Sequence, residues 1–494
     1  MTRITKEKFA VNSLWKAMEL FSSKGVSLLV SIILARILSP SDYGLIAITS
    51  IFIGLSEILI DGGFSTAIIR KNNVDEKDYG IALVSSLSLA TVLYLVLFFL
   101  APFISKYFNE PALIAVLRVI SLTMFVQAFS VIRIGYINRN LQFKLLFQCN
   151  LISGIISGLM GILAALFGLG IWALVIQRLF QQLISTVLLF KKIEIKYKIR
   201  GSFSQLQDLL SFGFGVVGSS LLNYVGSYIY NLVIGKRFSA TELGYYDKGA
   251  QLPMQFSLYT FGAMSSVLLP TLSSYQDDLA KVKHIVRKIV RMTGYLIFPL
   301  MIGMMVTAED LIVLLLTSKW LPALRIMQYA CIYYITTPFM LINVQVFFAL
   351  GRSKLRIKTE LIRLGLQVLS LLGLGLLAGS TINVLALANA LIAVLIAVLS
   401  FYETRKLIDY SWKEIAGDLM KPALAGMLMG VLVFFLEWLL TPQLHSVPLI
   451  IFVLKVGGGI LAYYVLSRIL RIQELSEVKK LAERLLTKGE NSEK

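Results

Sequence analysis

Charged side chains recur inside long apolar stretches of this sequence, and they are the residues whose types and spacing could do chemistry. An ionised side chain at the centre of a membrane-crossing helix costs about 2.5–3.5 kcal/mol, so it needs water or a partner of opposite charge. Positions of this kind are candidate ligand or ion sites. The charged residues within apolar stretches are Lys16, Glu19, Lys24, Glu57, Asp61, Arg118, Arg178, Asp247, Lys248, Arg363 and Lys455.

Three of these cations are candidates for contacting an anionic ligand. Lys24 comes first, because it lies in the middle of a predicted helix with no carboxylate three or four residues away. Lys248 and Arg118 follow, since they lie in the outer halves of the eighth and fourth predicted helices. The full set of candidate substrate-binding residues is Lys24, Lys248, Arg118, Asp247, Lys16 and Glu19.

A structural role is the alternative for each single charge. Lys16 and Glu19 are three residues apart on one predicted helix and can neutralise each other, and Asp247 can hold Lys248. Glu57 and Asp61, one helical turn apart, have two roles open to them. They can exchange H⁺ or Na⁺ with the ligand pathway, or they can simply neutralise Lys16 and Lys24.

Polar side chains share one face on four predicted helices. At 100° per residue, the polar positions of the first helix fall within about 120° of one another. Because lipid surrounds the protein, such faces must turn towards a shared interior, which predicts a water-filled cavity. The faces comprise Asn12, Lys16, Glu19, Ser23, Ser27 and Ser31; Ser50, Gly54, Glu57, Asp61 and Ser65; Ser220, Asn223, Ser227 and Asn231; and Lys248, Gln251, Gln255 and Tyr259.

Composition explains why the elements that position these residues are membrane helices. Of 494 residues, 57% are hydrophobic and only 15% are charged, against about 25% charged in soluble domains. Apolar runs long enough to cross a bilayer recur along the chain and predict fourteen transmembrane helices. The runs are 13–36, 43–64, 79–104, 112–133, 145–168, 171–190, 209–235, 243–269, 286–306, 324–350, 358–378, 382–402, 421–440 and 448–468.

The net charge of +19 follows from membrane topology. Lys and Arg concentrate in every second loop, as the positive-inside rule requires of cytoplasmic segments. This distribution predicts that both termini are cytoplasmic, and it argues against a nucleic-acid partner. The basic loops are suited to contact with membrane lipid instead. The predicted outer segments hold only Arg36, Lys106, Lys236, Arg237 and Lys319.

An internal duplication divides the chain. The stretch LSPSDYG at 38–44 returns as FSATELG at 238–244, an offset of 200 residues, and each copy has the spacing of a helix-capping box. The predicted fold is therefore an all-α polytopic membrane protein with two pseudo-symmetric six-helix lobes and an appended helix pair. The predicted segments are a lobe at 1–190, a cytoplasmic linker at 191–208, a lobe at 209–402, the pair at 403–470, and a cytoplasmic amphipathic helix and tail at 471–494.

Several classes of function are disfavoured by what the sequence lacks. The only cysteines, Cys149 and Cys331, fall in apolar segments, and the only histidines are His284 and His445, so neither a disulfide framework nor a histidine metal site is expected. No phosphate-binding G-x-x-x-x-G-K-[ST] motif occurs. The predicted outer loops are too short for a catalytic domain. We expect a protein that is not an enzyme and needs no cofactor, apart from an H⁺ or Na⁺ ion for coupling.

Five stretches resemble one protein family. ARILSPSDYG at 35–44, DGGFS at 61–65, LAPFI at 100–104, RNLQF at 139–143 and GYYDKG at 244–249 are similar to the polysaccharide transporter branch of the multidrug/oligosaccharidyl-lipid/polysaccharide (MOP) flippase superfamily. Within that branch, the resemblance is to exporters of the colanic-acid and teichuronic-acid type. It implies a MATE-like fold in the bacterial inner membrane, and contact with polysaccharide polymerase machinery. The implied activity is flipping of undecaprenyl-pyrophosphate-linked oligosaccharide by alternating access.

The resemblance also bears on the candidate residues. In the related lipid II flippases, cationic residues of helices 1, 2 and 8 line the cavity, and Lys24 and Lys248 match the first and third of these helices. Helix 2 of this sequence offers Glu57 and Asp61 instead, which gives Arg118 more weight as a pyrophosphate contact.

Other functions stay open at this stage. A cation or drug antiporter of the same superfamily is one, although such proteins typically have twelve helices. A membrane glycan polymerase or ligase is another, but it would need a large outer loop with catalytic Arg or His. A scaffold that transports nothing is the third.

Overall fold

A computed structural model describes residues 6–71, 74–198, 203–376, 380–444 and 448–479 of the chain. Within these ranges the regular elements are all helical. The side chains of some helical residues, including Lys16 and Lys24, lie outside the described part. The chain divides into two compact units, Met1–Asp247 and Lys248–Lys494.

The first unit consists of nine helices and the start of a tenth within its described part. Helix α1 packs along α7, and α7 packs along α8, while α9 lies against α2, α3 and α4. The unit ends at Asp247, inside α10. The helices are α1 (Lys6–Ile37), α2 (Pro40–Asp61), α3 (Phe64–Arg70), α4 (Glu76–Phe108), α5 (Leu113–Ile120), α6 (Thr123–Arg139), α7 (Phe143–Leu166), α8 (Ile171–Lys192), α9 (Phe203–Arg237) and α10 (Ala240–Ser273).

The second unit contains the rest of α10 and a layer of long helices. Helix α13 packs against α11 and α15, and α16 lies between α11 and α17. The helices are α11 (Leu279–Val306), α12 (Ala308–Leu311), a π-helical turn (Ile312–Leu316), a 3₁₀ helix (Ser318–Ala323), α13 (Leu324–Ala349), α14 (Ser353–Leu376), α15 (Ile382–Ile408), α16 (Trp412–Leu444) and α17 (Pro448–Ile469).

Ten helical segments of the described chain are long and apolar enough to cross a membrane. They coincide with ten of the predicted spans. The other four predicted spans fall in α1, α9, α10 and α14, the shortest of which has 24 residues. At 1.5 Å per residue such a helix is about 36 Å long, enough for a hydrocarbon core of about 30 Å. The number fourteen and the six-plus-six layout stay predictions.

Large apolar side chains lie on the outside of both units, as in a protein whose solvent is lipid. Phe103 is 70% exposed, Trp438 is 72% exposed and Ile460 is 68% exposed. A water-soluble protein rarely leaves such groups uncovered on neighbouring turns. The backbone polar groups of a helix are satisfied within the helix, which allows these faces to meet hydrocarbon.

The duplicated stretches both begin helices in the predicted way. Ser39 caps α2 in a complete capping box, with its side chain accepting the Asp42 N–H and the Asp42 side chain accepting the Ser39 N–H. In the second copy, the Glu242 N–H donates to Ser239 Oγ at 3.1 Å, at the start of α10. The capping-box prediction is confirmed in full for the first copy.

The two copies also approach each other closely inside the first unit. A Cβ atom added to Gly44 would lie 1.6 Å from the Ala240 carbonyl oxygen, and one added to Gly244 would lie 2.0 Å from the Pro40 carbonyl oxygen. The contact is reciprocal, since each glycine faces the first turn of the other copy's helix. It therefore has the self-complementary form of a two-fold contact.

Helix α2 ends earlier than the run of apolar residues suggests. Asp61 is its last residue, and Gly62 and Gly63 adopt left-handed conformations with φ values of 51° and 72°. Glycine adopts positive φ without the Cβ penalty, so it allows the chain to turn here and start α3 at Phe64. The break puts the Asp61 carboxylate at a helix end.

The C-terminal segment packs against protein instead of lying on the membrane surface alone. Ile472 belongs to a buried cluster with Tyr295 and Tyr463, and Leu475 and Val478 pack against that cluster. Two ion pairs join the same segment to α11, Arg291 to Glu474 at 3.3 Å and Lys288 to Glu477 at 3.1 Å. The other apolar positions of the predicted amphipathic helix, Ala482 and Leu485, lie outside the described residues.

Candidate functional site

A polar cavity opens in the first unit where α2, α6 and α9 meet. Its volume is about 300 Å³, at the lower end of the range of about 300–1,000 Å³ for small-molecule sites. Gly54, Glu57 and Asp61 come from the predicted polar face of α2, and Ser220 comes from that of α9. The lining residues are Gly54, Glu57, Ile58, Asp61, Gly63, Gln127, Val217, Ser220 and Tyr224.

Two carboxylates define the chemistry of this cavity. Glu57 Oε1 lies 3.6 Å from the Arg178 guanidinium of α8, which also donates to Ser50 Oγ at 2.8 Å. Asp61 is within hydrogen-bond reach of the backbone N–H groups of Gly63 and Ser65, just after the helix break. Among the lining residues within the described part, two are acidic and none is basic.

An aromatic ring forms part of the wall. The Tyr224 hydroxyl donates to the Ser50 carbonyl oxygen at 2.7 Å, and its ring lies 4.5 Å from that of Tyr228, centroid to centroid. Gly54 makes this approach possible, because a Cβ atom there would lie 2.1 Å from the Tyr224 hydroxyl oxygen. The polar end of Tyr224 is therefore tied to α2.

Gln127 of α6 contributes an amide to the cavity. Its Oε1 accepts a hydrogen bond of 2.7 Å from Gln182 Nε2 of α8. This contact orients the Gln127 amide, and its NH₂ group has no partner among the described residues. The cavity thus combines carboxylate acceptors, an amide donor, a hydroxyl and a ring face.

The six residues predicted to bind substrate lie in different surroundings in the structure. The side chains of Lys16 and Lys24 lie outside the described part of the structure, so their role in substrate binding stays a prediction. Glu19 is buried and accepts a 2.9 Å hydrogen bond from Asn150 Nδ2 of α7. That contact places Glu19 between α1 and α7, and Glu19 does not line the described cavity.

The remaining three also lie outside the lining of the cavity. Arg118 donates from Nε to the Phe98 carbonyl oxygen at 3.3 Å, and its guanidinium lies 4.1 Å from the centroid of the Phe98 ring. Lys248, in the second unit, is 4% exposed and donates to Gln251 Oε1 at 2.9 Å. Asp247, in the first unit, interacts electrostatically with Tyr43. Of the charged candidates whose side chains are described, the cavity brings together Glu57 and Asp61 only.

Other charges inside apolar runs have partners of opposite sign. Lys455 of α17 is 1% exposed and lies 2.5 Å from Asp310 and 3.1 Å from Glu437. Arg363 of α14 pairs with Glu360 and donates to the Tyr333 hydroxyl. These contacts agree with the expectation that a deep charge needs water or a partner.

Three residues at the cavity are missing from the predicted set. The sequence does mark Arg178 and Gln127, because a charged or amide side chain stands out inside an apolar run. Tyr224 has no such signal, since tyrosine is enriched at membrane–water interfaces in general. Only the approach of α9 to α2 shows that its ring forms the wall.

Comparisons with known proteins agree with this architecture. A family described as "Polysaccharide biosynthesis protein" matches residues 33–325. The succinoglycan biosynthesis transport protein ExoT of Rhizobium meliloti (strain 1021) is 24% identical over 309 residues, which cover 62% of each chain. The match therefore spans less than two thirds of that relative.

Two further relatives are similar in the same way. The lipopolysaccharide biosynthesis protein WzxC of Escherichia coli (strain K12) is 24% identical over 335 residues, which cover 66% of this chain and 67% of that one. The teichuronic acid biosynthesis protein TuaB of Bacillus subtilis (strain 168) is 25% identical over 391 residues, which cover 77% and 78%.

Solved structures share the fold at low sequence identity. The lipid II flippase MurJ, in an inward closed conformation, superimposes with a TM-score of 0.71 at 16% identity, covering 93% of this chain and 98% of that one. An inward-facing multidrug resistance MATE family transporter of the MOP superfamily gives a TM-score of 0.63 at 14% identity, covering 81% and 98%. The chain has the fold of these two proteins, and its sequence places it in the polysaccharide biosynthesis protein family.

Proposed function

We propose that this protein is a flippase that moves a lipid-linked oligosaccharide across the bacterial cytoplasmic membrane. The observation that carries the proposal is the polar cavity between α2, α6 and α9, inside a unit whose outer surface is apolar. A cavity of this chemistry suits a hydrophilic ligand, and the apolar surface suits the lipid that must accompany it.

The relatives support this substrate class. One is named as a transport protein of succinoglycan biosynthesis, and the fold is shared with a lipid II flippase. Transport of a polysaccharide precursor on a lipid carrier accounts for both resemblances. We propose undecaprenyl pyrophosphate as the carrier and the cytoplasmic to outer leaflet as the direction.

Physical chemistry explains why such a substrate needs a protein. A pyrophosphate and a glycan cannot cross about 30 Å of hydrocarbon unaided, because their polar groups would lose their hydrogen bonds to water. In the proposed mechanism the polar head enters the protein while the polyprenyl tail stays in lipid. The two halves of the chain then alternate between inward-open and outward-open states.

The charged candidates keep separate proposed roles. Lys24, Lys16 and Lys248 are the proposed contacts of the pyrophosphate. Arg118 stays a further proposed contact of the pyrophosphate. Glu19 and Asp247 are proposed to support α1 and α10, which carry the lysines, since Glu19 already bonds to α7. Coupling to H⁺ or Na⁺ through Glu57 and Asp61, cytoplasmic termini, and contact with polymerase machinery belong to the same proposal.

Deletion of the gene in its own host tests the function. We expect loss of one surface polysaccharide, and restoration by the wild-type chain. Lys24→Ala and Lys248→Ala should restore it poorly, whereas full restoration by both would remove them as pyrophosphate contacts. Unchanged polysaccharide together with reduced export of cationic dyes would contradict the flippase proposal and favour a drug antiporter.

A further inference from the structure

We propose that the cavity between α2, α6 and α9 binds uncharged sugar rings of the substrate and not its diphosphate. The inference rests on the proposed function and assigns one part of the substrate to a defined set of side chains. Those side chains are Glu57, Asp61, Gln127, Ser220 and Tyr224. At about 300 Å³, the cavity has space for a small part of an oligosaccharide.

The two acidic side chains of the cavity, Glu57 and Asp61, favour hydroxyl groups over phosphate as ligands. A carboxylate only accepts hydrogen bonds, and each sugar hydroxyl has a proton to donate to it. A diphosphate is rich in acceptors and negatively charged, so it repels a carboxylate at contact distance. Even a protonated Glu57 or Asp61 would lack the positive charge that proteins use to hold phosphate. The lining therefore suits a hydroxyl-rich ligand.

The guanidinium beside the cavity does not change this conclusion. Arg178 is not a lining residue, and its two terminal nitrogens face Ser50 and Glu57 of α2. It is a positioning residue, because the ion pair holds Glu57 at the edge of the cavity. Both terminal nitrogens are therefore already engaged by α2.

Two other lining residues supply a hydrogen-bond donor and an aromatic surface for a sugar ring. The Gln127 NH₂ group has no partner among the described residues and can donate to a ring or hydroxyl oxygen. The Tyr224 hydroxyl is already used by Ser50, so its ring is what this residue offers to a ligand. An aromatic face next to convergent polar groups is a common composition of small-molecule sites.

The negative charge of the cavity predicts selectivity against acidic sugars. A sugar with a carboxylate, such as a uronic acid, should bind this subsite more weakly than a neutral sugar of the same size. Glu57→Gln and Asp61→Asn remove the repulsion while keeping the shape of each side chain.

A cysteine reporter in the cavity tests the inference on the full chain in lipid nanodiscs. Ser220→Cys is half-buried in the lining, and the natural thiols of Cys149 and Cys331 are buried. The rate of maleimide labelling is measured with neutral di- to tetrasaccharides, with galacturonate oligomers of matched length, and with inorganic pyrophosphate. Ser476→Cys, exposed near the C-terminus, is the matched control for non-specific protection.

We expect neutral oligosaccharides to slow labelling of Ser220→Cys but not of Ser476→Cys, and pyrophosphate to slow neither. Because a hydrogen bond to an ionised acceptor is about twice as strong as one to a neutral acceptor, each amide variant should weaken neutral-sugar protection by about fivefold. The same variants should narrow the difference between neutral and acidic oligomers. Protection by pyrophosphate instead of neutral sugar, or no protection by any neutral oligosaccharide, would overturn the inference.

A complementation assay separates this inference from the proposed function. If the wild-type chain restores the surface polysaccharide but only pyrophosphate protects the reporter, the flippase proposal survives and the sugar subsite does not. If neutral sugars protect the reporter but the chain restores no polysaccharide, the subsite survives and the flippase proposal does not.

Discussion

At the scale of single residues, two intramembrane cations of the described chain pair with acids on other helices. Arg178 pairs with Glu57, and Lys455 with Asp310 and Glu437. The cost of an ionised group in hydrocarbon explains why a partner is needed. It does not say which helix supplies that partner, because side chains far apart in sequence meet only when the helices pack.

Gly54 gives the first prediction, because it leaves room for Tyr224. In Gly54→Ala, the new Cβ would lie 2.1 Å from the Tyr224 hydroxyl oxygen and 2.5 Å from Cζ of its ring. We expect overpacking worth about 1–3 kcal/mol, a displaced ring and reduced restoration of polysaccharide in the deletion strain. Gly457→Ala, where no described atom lies within 4 Å of the added Cβ, should act like wild type. Equal activity of the two variants would contradict this assignment.

Lys455 gives the second prediction. It is 1% exposed and has two carboxylate partners, so Lys455→Ala leaves Asp310 and Glu437 without their cation. Breaking a fully buried pair costs about 3–5 kcal/mol. The Asp310 and Glu437 side chains are 20% and 35% exposed, so we expect a smaller cost that still lowers the unfolding temperature in detergent clearly.

The control for Lys455 is a pair at the surface. Lys288 and Glu477 have side chains that are 55% and 44% exposed, and such pairs contribute about 0–1 kcal/mol. Lys288→Ala should therefore leave the unfolding temperature almost unchanged. If Lys288→Ala lowered the unfolding temperature as much as Lys455→Ala, burial would not explain the contribution of the Lys455 pair to stability.

At the scale of elements, the first turns of α2 and α10 form a close crossing through Gly44 and Gly244. We predict that Gly44→Ala and Gly244→Ala each force these turns apart. The new Cβ atoms would lie 1.6 Å and 2.0 Å from backbone carbonyl oxygens, and backbone gives way less easily than a flexible side chain. Both variants should lower the unfolding temperature and transport, whereas Gly218→Ala, with open space at its Cβ, should do neither. Normal stability of both glycine variants would contradict the reciprocal contact.

The start of α4 gives a prediction about pH. Asp75 accepts hydrogen bonds from the Asp78 and Lys77 N–H groups at 2.8 Å and 3.1 Å. The Asp78 N–H bond is the main reason that the pKa of Asp75 is below its usual value. A lowered folded pKa means that the cap contributes fully above the unfolded value of about 3.9 and is lost as pH falls through the lower folded value.

Variants at Asp75 measure that contribution. Asp75→Ala should cost about 0.5–2 kcal/mol at neutral pH, with the difference from wild type shrinking in acid. Asp75→Asn keeps a capping oxygen that does not titrate, so its stability relative to Asp75→Ala should not change with pH. Unfolding in detergent from about pH 7 to about pH 3 checks both. A constant gap between wild type and Asp75→Ala would contradict the role of the ionised cap.

At the scale of the whole molecule, the charge pattern predicts which loops face the cytoplasm. Ser476→Cys lies in the predicted cytoplasmic tail, and Ser318→Cys lies in the longest predicted outer loop; both positions are exposed. A membrane-impermeant maleimide added to intact cells should label Ser318→Cys alone, and permeabilised cells should label both. Labelling of Ser476→Cys in intact cells would reverse the predicted topology.

Predictability from sequence differs between the fold and the cavity. The helices follow from apolar runs of membrane length, and the start of α2 follows from Ser39 and Asp42. Both signals are local, so both can be found without a structure. Glu57 and Asp61 stand out as acids in an apolar run. Their neighbours Gln127 and Tyr224 come from α6 and α9, and no spacing along the chain indicates that these helices meet α2.

By itself, the sequence determined that this is a helical membrane protein with a duplicated core motif, because hydrocarbon admits few polar groups and a capping box spans four residues. Tertiary structure alone decided that Glu57 pairs with Arg178, that Arg118 lies against Phe98, and that Tyr224 completes a cavity lined by acids. The reason is physical. Helix formation depends on neighbours within a turn or two, whereas the polarity of a cavity depends on which helical faces pack together, and that is set by shape and charge across the whole unit.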